Sequence, residues 1–287
     1  MTFLRNIFRF FIYSNLFIAC CAILMLAQTS SMLLGSPASF TLLAFVGFAT
    51  ISSYSFHWYL TPVLPADNTD RARWLSRNRT AHVWLFILGT AGAGYYGFRL
   101  LEHWRWLLFA ALITFLYSAP KIPHPWFRML RRIAIGKTIF LAGVWMFVTT
   151  ILPLGISGQE WQPVFTLFSI SRFFLIYAIC ILFDYRDREH DITLGIRSLI
   201  TWLNEKGIDR LFLASIIIFL ISSICLYQYN QSITSVISIL IPGLITALLY
   251  THSKKSNSDI LYYFILDGLM CLSSILYYLL TLNPPSL

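Results

Sequence analysis

Apolar runs of membrane-spanning length recur from one end of this chain to the other, and they constrain its fold more than any other feature. They fall near residues 10–34, 40–60, 81–101, 104–118, 134–153, 164–183, 211–228, 233–250 and 260–282. A helix crossing the hydrocarbon core takes about 20 such residues, and tilt or shortness widens that range. The runs are too long for barrel strands, and an open strand edge cannot face lipid. The expectation is an all-α, polytopic membrane helical bundle of about nine transmembrane helices, one domain over residues 1–287. Composition agrees, with 57% hydrophobic, 17% aromatic and only 11% charged residues; a soluble domain carries about a quarter charged. The first run is longer than a signal-peptide apolar region and no small-residue cleavage pattern follows it, so it reads as a retained span.

The basic residues give an orientation. With nine spans, the even-numbered connections share a side with the N-terminus. That side holds Arg5 and Arg9, then Arg71, Arg73, Arg77 and Arg79, then Lys121, Arg128, Arg131 and Arg132. It also holds Arg186, Arg188, Arg197, Lys206, Arg210, Lys254 and Lys255, whereas the other side claims only Arg99 and Arg105. The positive-inside rule then puts the N-terminus and the long loops in the cytosol of a cell (inner) membrane protein. The same bias accounts for the net charge of +9 without nucleic acid, since no base-stacking module is present. Five cysteines (Cys20, Cys21, Cys180, Cys225 and Cys271) all fall inside spans, with no CxxC pair. They read as small packing residues rather than a disulfide or zinc framework.

Carboxylates are scarce and clustered. Four of the 12 acidic residues, Asp184, Asp187, Glu189 and Asp191, lie in the segment FDYRDREHDITLGIRSL at 183–199. Asp184, Asp187 and Asp191 stand at i, i+3 and i+7, offsets of roughly 300° and 340° that share one helical face. Three carboxylates on one stripe repel each other unless a cation lies between them. Oxygen ligands suit Mg²⁺, which keeps waters and takes substrate phosphates into its shell. Glu189 points off the stripe and reads as solvated. Two charges sit inside spans, Arg172 and Asp267. Intramembrane charges face the bundle interior and find partners, so these two are expected to pair with each other.

The segment DREHDITLGIRSL resembles the second aspartate motif of the intramembrane (UbiA) prenyltransferase superfamily. That motif is DxxxD followed by Gly-x-Lys-Ser/Thr. Asp187, Asp191, Gly195 and Ser198 match it, and Arg197 stands where lysine is usual. YSAP at 117–120, closing the fourth span, resembles the family's Tyr-Ser-x-Pro element through Tyr117. The resemblance covers essentially the whole chain. It implies a single UbiA-like transmembrane domain, with a polyprenyl diphosphate donor whose tail lies in a lipid-open helical cavity. It also implies a lipophilic acceptor, Mg²⁺ at Asp184, Asp187 and Asp191, and Asp187 and Asp191 as catalytic residues. An apolar cavity among spans two to six, with Tyr117 and Arg197 near its mouth, is the corresponding structural expectation.

The family's first cluster, Asn-Asp-x-x-Asp, has no counterpart at the close of the second span. His57 and Tyr59 occupy that neighbourhood, and Asp67 and Asp70 lie farther along in a turn signalled by PADN. His57, at a helix end, reads as a packing residue. A diphosphate carries about three negative charges, more than one Mg²⁺ compensates. Arg71, Arg77, Lys121, Arg128, Arg197 and Tyr117 are therefore the expected diphosphate contacts, arginine gripping phosphate oxygens bidentately. The alternatives are a noncatalytic isoprenoid- or lipid-binding or assembly relative, and a membrane terpene cyclase of the same superfamily. A CDP-alcohol phosphotransferase does not fit, because Arg188 follows Asp187 where that signature needs glycine. A transporter would show paired repeats and broken helices, and neither is evident.

Overall fold

The computed structural model describes residues 2–61, 69–122, 124, 136–193 and 198–282. Among these residues every regular element is helical. Seven helices are long and apolar enough to cross a bilayer, and the protein is a multi-pass membrane protein. The other two expected spans form helices as well, one less apolar and one only 15 residues long, and neither is among the seven.

Helix α1 (Thr2–Tyr13) is amphipathic and separate from α2 (Leu16–Leu33). Asn15 between them is left-handed, at φ 69°, a conformation that asparagine tolerates better than most residues. The first expected span, 10–34, is thus broken at this turn. Helix α3 (Phe40–Leu60) starts at Ser39, whose side chain accepts from the Leu42 N–H. The short α4 (Asp70–Arg77) is capped in the same way by Thr69.

Helix α5 (Arg79–Phe98) returns along α3. A Cβ at Gly89 would fall 2.7 Å from the Ser52 backbone nitrogen, so glycine is what lets the two backbones approach. The Ser52 and Thr90 hydroxyls bond across the same seam at 2.8 Å. Helix α6 (Trp104–Ser118) follows, and then α7 (Lys137–Ile156), which contains a π-helical turn at Phe147–Ile151.

Helix α8 (Pro163–Thr193) is the axis of the bundle and packs on α7 and on the three helices that close the chain. Its 31 residues span roughly 46 Å, well beyond a hydrocarbon core of about 30 Å. Its last turns must therefore leave the membrane, and they carry the acidic cluster. A capping box between Ser198 and Thr201 opens the one-turn α9 (Leu199–Trp202). Helices α10 (Glu205–Cys225) and α11 (Ile233–Ser253) follow, capped by Asn204 and Ser232. Helix α12 opens on a π-helical turn, Leu261–Leu266, and continues as Asp267–Leu282.

The expected pairing of Arg172 with Asp267 is not what holds the bundle centre. Arg172 donates instead to the Met25 carbonyl at 2.8 Å and to Gln28 Oε1 at 2.7 Å. Ser273 and Ser274 donate to the same oxygen at 3.0 Å each. Thr29 adds a bond to the Thr149 carbonyl, 2.7 Å away in the π turn of α7. One polar knot thus ties α2, α7, α8 and α12. Carbonyl and amide oxygens supply the guanidinium with hydrogen-bond acceptors in place of a carboxylate, and Gln28 sits one turn from Met25 on the facing helix. Gln28→Leu is expected to leave the buried guanidinium short of an acceptor and cost about 3–5 kcal/mol. Removing the charge as well, in Q28L/R172M, should recover most of the lost thermal midpoint.

Candidate functional site

The last turns of α8 bring two of the three expected aspartates together. Asp184 and Asp191 are buried, and their side chains converge on one ammonium. Lys137 Nζ, from the first residue of α7, lies 3.7 Å from Asp184 Oδ1 and 3.8 Å from Asp191 Oδ2. Thr138 donates its hydroxyl to Asp184 Oδ2. The i, i+7 spacing is two helical turns, so both carboxylates reach the same neighbour on α7.

Asp187 takes a different partner. Its side chain is 43% exposed and accepts from Arg186 Nε at 2.8 Å. Arg186 also donates to the Tyr263 hydroxyl at 2.8 Å. The Tyr263 ring in turn covers the guanidinium of Arg71, 3.7 Å from its centroid, and the Trp58 ring, nearly perpendicular to that of Tyr263, lies 3.9 Å from the same guanidinium. Arg71 is thus held by two aromatic faces, and its backbone N–H donates to Asp259. Glu189 is exposed, as its position off the stripe implies.

Facing the carboxylates is a second cationic group. Lys121 Nζ lies 2.7 Å from His57 Nε2 and 2.5 Å from the Thr61 hydroxyl. An ammonium donating to Nε2 assigns the proton of the imidazole to Nδ1, which is 3.3 Å from the Ser118 hydroxyl. Tyr117 stacks on the same imidazole, centroids 5.0 Å apart. Burial, with Lys137 nearby, pulls the Lys121 ammonium down to about 7 from its usual 10.5, against the fields of Asp187 and Asp191. The unfolded chain therefore holds the extra proton between about pH 7 and 10.5, and folding gains stability as pH rises through that window. Thermal midpoints measured across it should rise in the wild type more steeply than in Lys121→Met. Diphosphate affinity should fall over the same range, because the neutral amine no longer attracts an anion.

The remaining expected contacts are dispersed. Arg77 lines a different cleft, between α1 and α4. Asp70 opens α4 and pairs with Arg9 and Arg73 rather than facing α8. Arg128, Arg197 and Asp67 lie outside the described residues.

Oxygen donors at one cationic point are what a divalent cation needs. Among the described residues no three His, Cys, Asp or Glu side chains converge, so the protein builds no closed cage. Magnesium, however, is usually held by one or two carboxylates plus substrate phosphates. The Lys137 ammonium is a stand-in cation at that place. Asp184 and Asp191 fit the ion in this way; Asp187, engaged by Arg186, fits it less well.

Across 94% of this chain and 96% of the other, the architecture superimposes on the apo structure of a UbiA homolog from Aeropyrum pernix K1, at a TM-score of 0.57 and 14% identity. The fold is the UbiA fold. No family model and no curated protein sequence matches the chain. Asp187 and Asp191 of the first resembling segment therefore lie in the last turns of α8, and Tyr117 and Ser118 of the second in the last turn of α6, on a UbiA fold.

Several residues of this UbiA-fold site escape a reading by sequence. Lys137 carries the only charge between Arg132 and Glu160, and a lone lysine in an apolar span is itself a signal. His57 was legible only as a helix-end histidine, because its partner Lys121 lies 64 positions away. Arg186 stands next to Asp187 in the sequence, but its other partner, Tyr263, lies 77 positions away and has no local signal.

Proposed function

We propose that this protein is a divergent intramembrane prenyltransferase of the UbiA superfamily, acting on a polyprenyl diphosphate and a lipophilic acceptor at the cytosolic ends of its helices. One observation carries the reading: within a UbiA fold, Asp184 and Asp191 converge on one cation while Lys121, Arg71 and His57 gather nearby. The superfamily's first aspartate cluster is replaced in this account by basic side chains. Asp184 and Asp191 would hold a Mg²⁺ ion, which when bound would supply positive charge for the departing diphosphate.

Lys137 exchanges its carboxylate partners for phosphate oxygens as the substrate enters. Lys121, donating from beside His57, neutralises further charge on the same group. Arg186 keeps Asp187 and Tyr263 in place at the rim. The allylic C–O bond breaks with its electron pair on the diphosphate, the acceptor forms the new bond to the allylic carbon, and the acceptor's proton passes to the released diphosphate. Trp58 and Tyr263 already hold the guanidinium of Arg71 in the corner between their rings, and the Tyr117 and Tyr54 rings offer similar surfaces to an allylic cation. Trp145 donates to the Tyr54 hydroxyl at 3.0 Å, tying α3 to α7. The family resemblance assigns the isoprenoid tail to the helices α3, α5, α6, α7 and α8, with Tyr117 at the diphosphate end.

The test is diphosphate release. Purified protein in nanodiscs, given Mg²⁺ and prenyl diphosphates of several lengths with extracted membrane lipid as acceptor, should release diphosphate and form a prenylated product. Binding without release would instead establish a noncatalytic isoprenoid-binding relative. Neither binding nor release would contradict both readings.

A further inference from the structure

Away from the carboxylates, α1 and α4 enclose a cleft of about 480 Å³ lined by Arg5, Asn6, Arg9, Asp70, Arg73, Trp74, Arg77 and Asn78. Four arginines face one carboxylate there. Asp70, Arg73, Trp74 and Arg77 stand at i, i+3, i+4 and i+7, so α4 turns one face to this cleft and sends Arg71 the other way. Arg5 and Arg9 come from successive turns of α1. Asp70 pairs with both Arg9 and Arg73 and so ties the two walls together. No ion pair engages Arg5 or Arg77 among the described residues, so two guanidinium groups remain for an incoming anion.

The neighbouring face of α1 identifies where that anion comes from. Phe3 and Leu4 are 74% and 73% exposed, and Ile7 and Phe10 are also exposed. A helix with such a face, next to membrane spans, lies in the interface with its apolar side among acyl chains. Trp74 packs on Phe10 and Tyr13 and sits where tryptophan favours the headgroup level. The arginines then stand at phosphate depth, where guanidinium groups grip phosphate oxygens in pairs.

We propose that the α1–α4 cleft binds the phosphate headgroup of an anionic phospholipid, with Arg5 and Arg77 as its free contacts and Arg9 and Arg73 as its positioned ones. The site is independent of the diphosphate site at α8.

The test compares lipid retention on the full chain. Native mass spectrometry of protein released from mixed phosphatidylglycerol and phosphatidylcholine nanodiscs should show phosphatidylglycerol retained preferentially. Arg5→Gln with Arg77→Gln should lower that preference roughly tenfold, whereas Arg210→Gln, an exposed arginine on another helix, should leave it unchanged. Arg5→Lys with Arg77→Lys should restore part of it, because the charge returns without the bidentate grip. An unchanged preference in the double glutamine variant would overturn the proposal. So would an equal loss in Arg210→Gln, which would mean diffuse attraction, or displacement of the lipid by excess inorganic phosphate, which would mean a soluble ligand.

Discussion

Lys137→Met is expected to destabilise the ligand-free protein by about 3–5 kcal/mol, because it removes the cation that two buried carboxylates share. Asp184 and Asp191 lie 3.7 and 3.8 Å from the Lys137 ammonium. The stand-in relationship makes a second expectation possible. Millimolar Mg²⁺ should raise the thermal midpoint of Lys137→Met by more than it raises that of the wild type, because the vacated place is open to the ion. Should the variant fold too poorly to purify, K137M/D184N/D191N removes all three charges and should return to near wild-type stability. A variant that is as stable as the wild type and indifferent to Mg²⁺ would show that Lys137 plays no such part.

The second large effect separates the three aspartates. Asp184→Asn and Asp191→Asn should each weaken Mg²⁺-dependent binding of a prenyl diphosphate by about 10–100-fold, the usual cost of disturbing a metal site. Asp187→Asn should cost far less, because its carboxylate is turned to Arg186 and is 43% exposed. The motif resemblance alone ranks Asp187 and Asp191 together, so the contrast tests geometry against motif. Isothermal titration in the presence and absence of Mg²⁺ measures all three.

Where the sequence was legible, simple physics made it so. Long apolar runs can only be helices in lipid, and the i, i+3, i+7 spacing of the aspartates follows from 3.6 residues per turn. Spacing puts all three aspartates on one stripe as ligands and cannot show which neighbour each side chain meets. Asp187 sits beside Arg186 in sequence, and that adjacent guanidinium captures it, while Asp184 and Asp191 reach across to α7. Long-range partners were the blind spot. His57 and Lys121 come from α3 and the segment after α6, and Arg71 finds Tyr263 about two thirds of the chain length away. For the same reason Arg172 was matched with the nearest opposite charge in the membrane, Asp267, when neutral oxygens on α2 were the better acceptors. The boundary of the first span was missed because Asn15 lies inside a continuous apolar run, and a single left-handed residue leaves the hydropathy unchanged.

The most direct test of the central claim is the affinity of the reconstituted protein for geranylgeranyl diphosphate with and without Mg²⁺. The account predicts binding that strengthens with Mg²⁺ in the wild type, loses that dependence in D184N/D191N, and weakens when Lys121 or Lys137 is replaced by Met. Binding that is absent under all conditions, or that is the same in the wild type and in D184N/D191N, would contradict it.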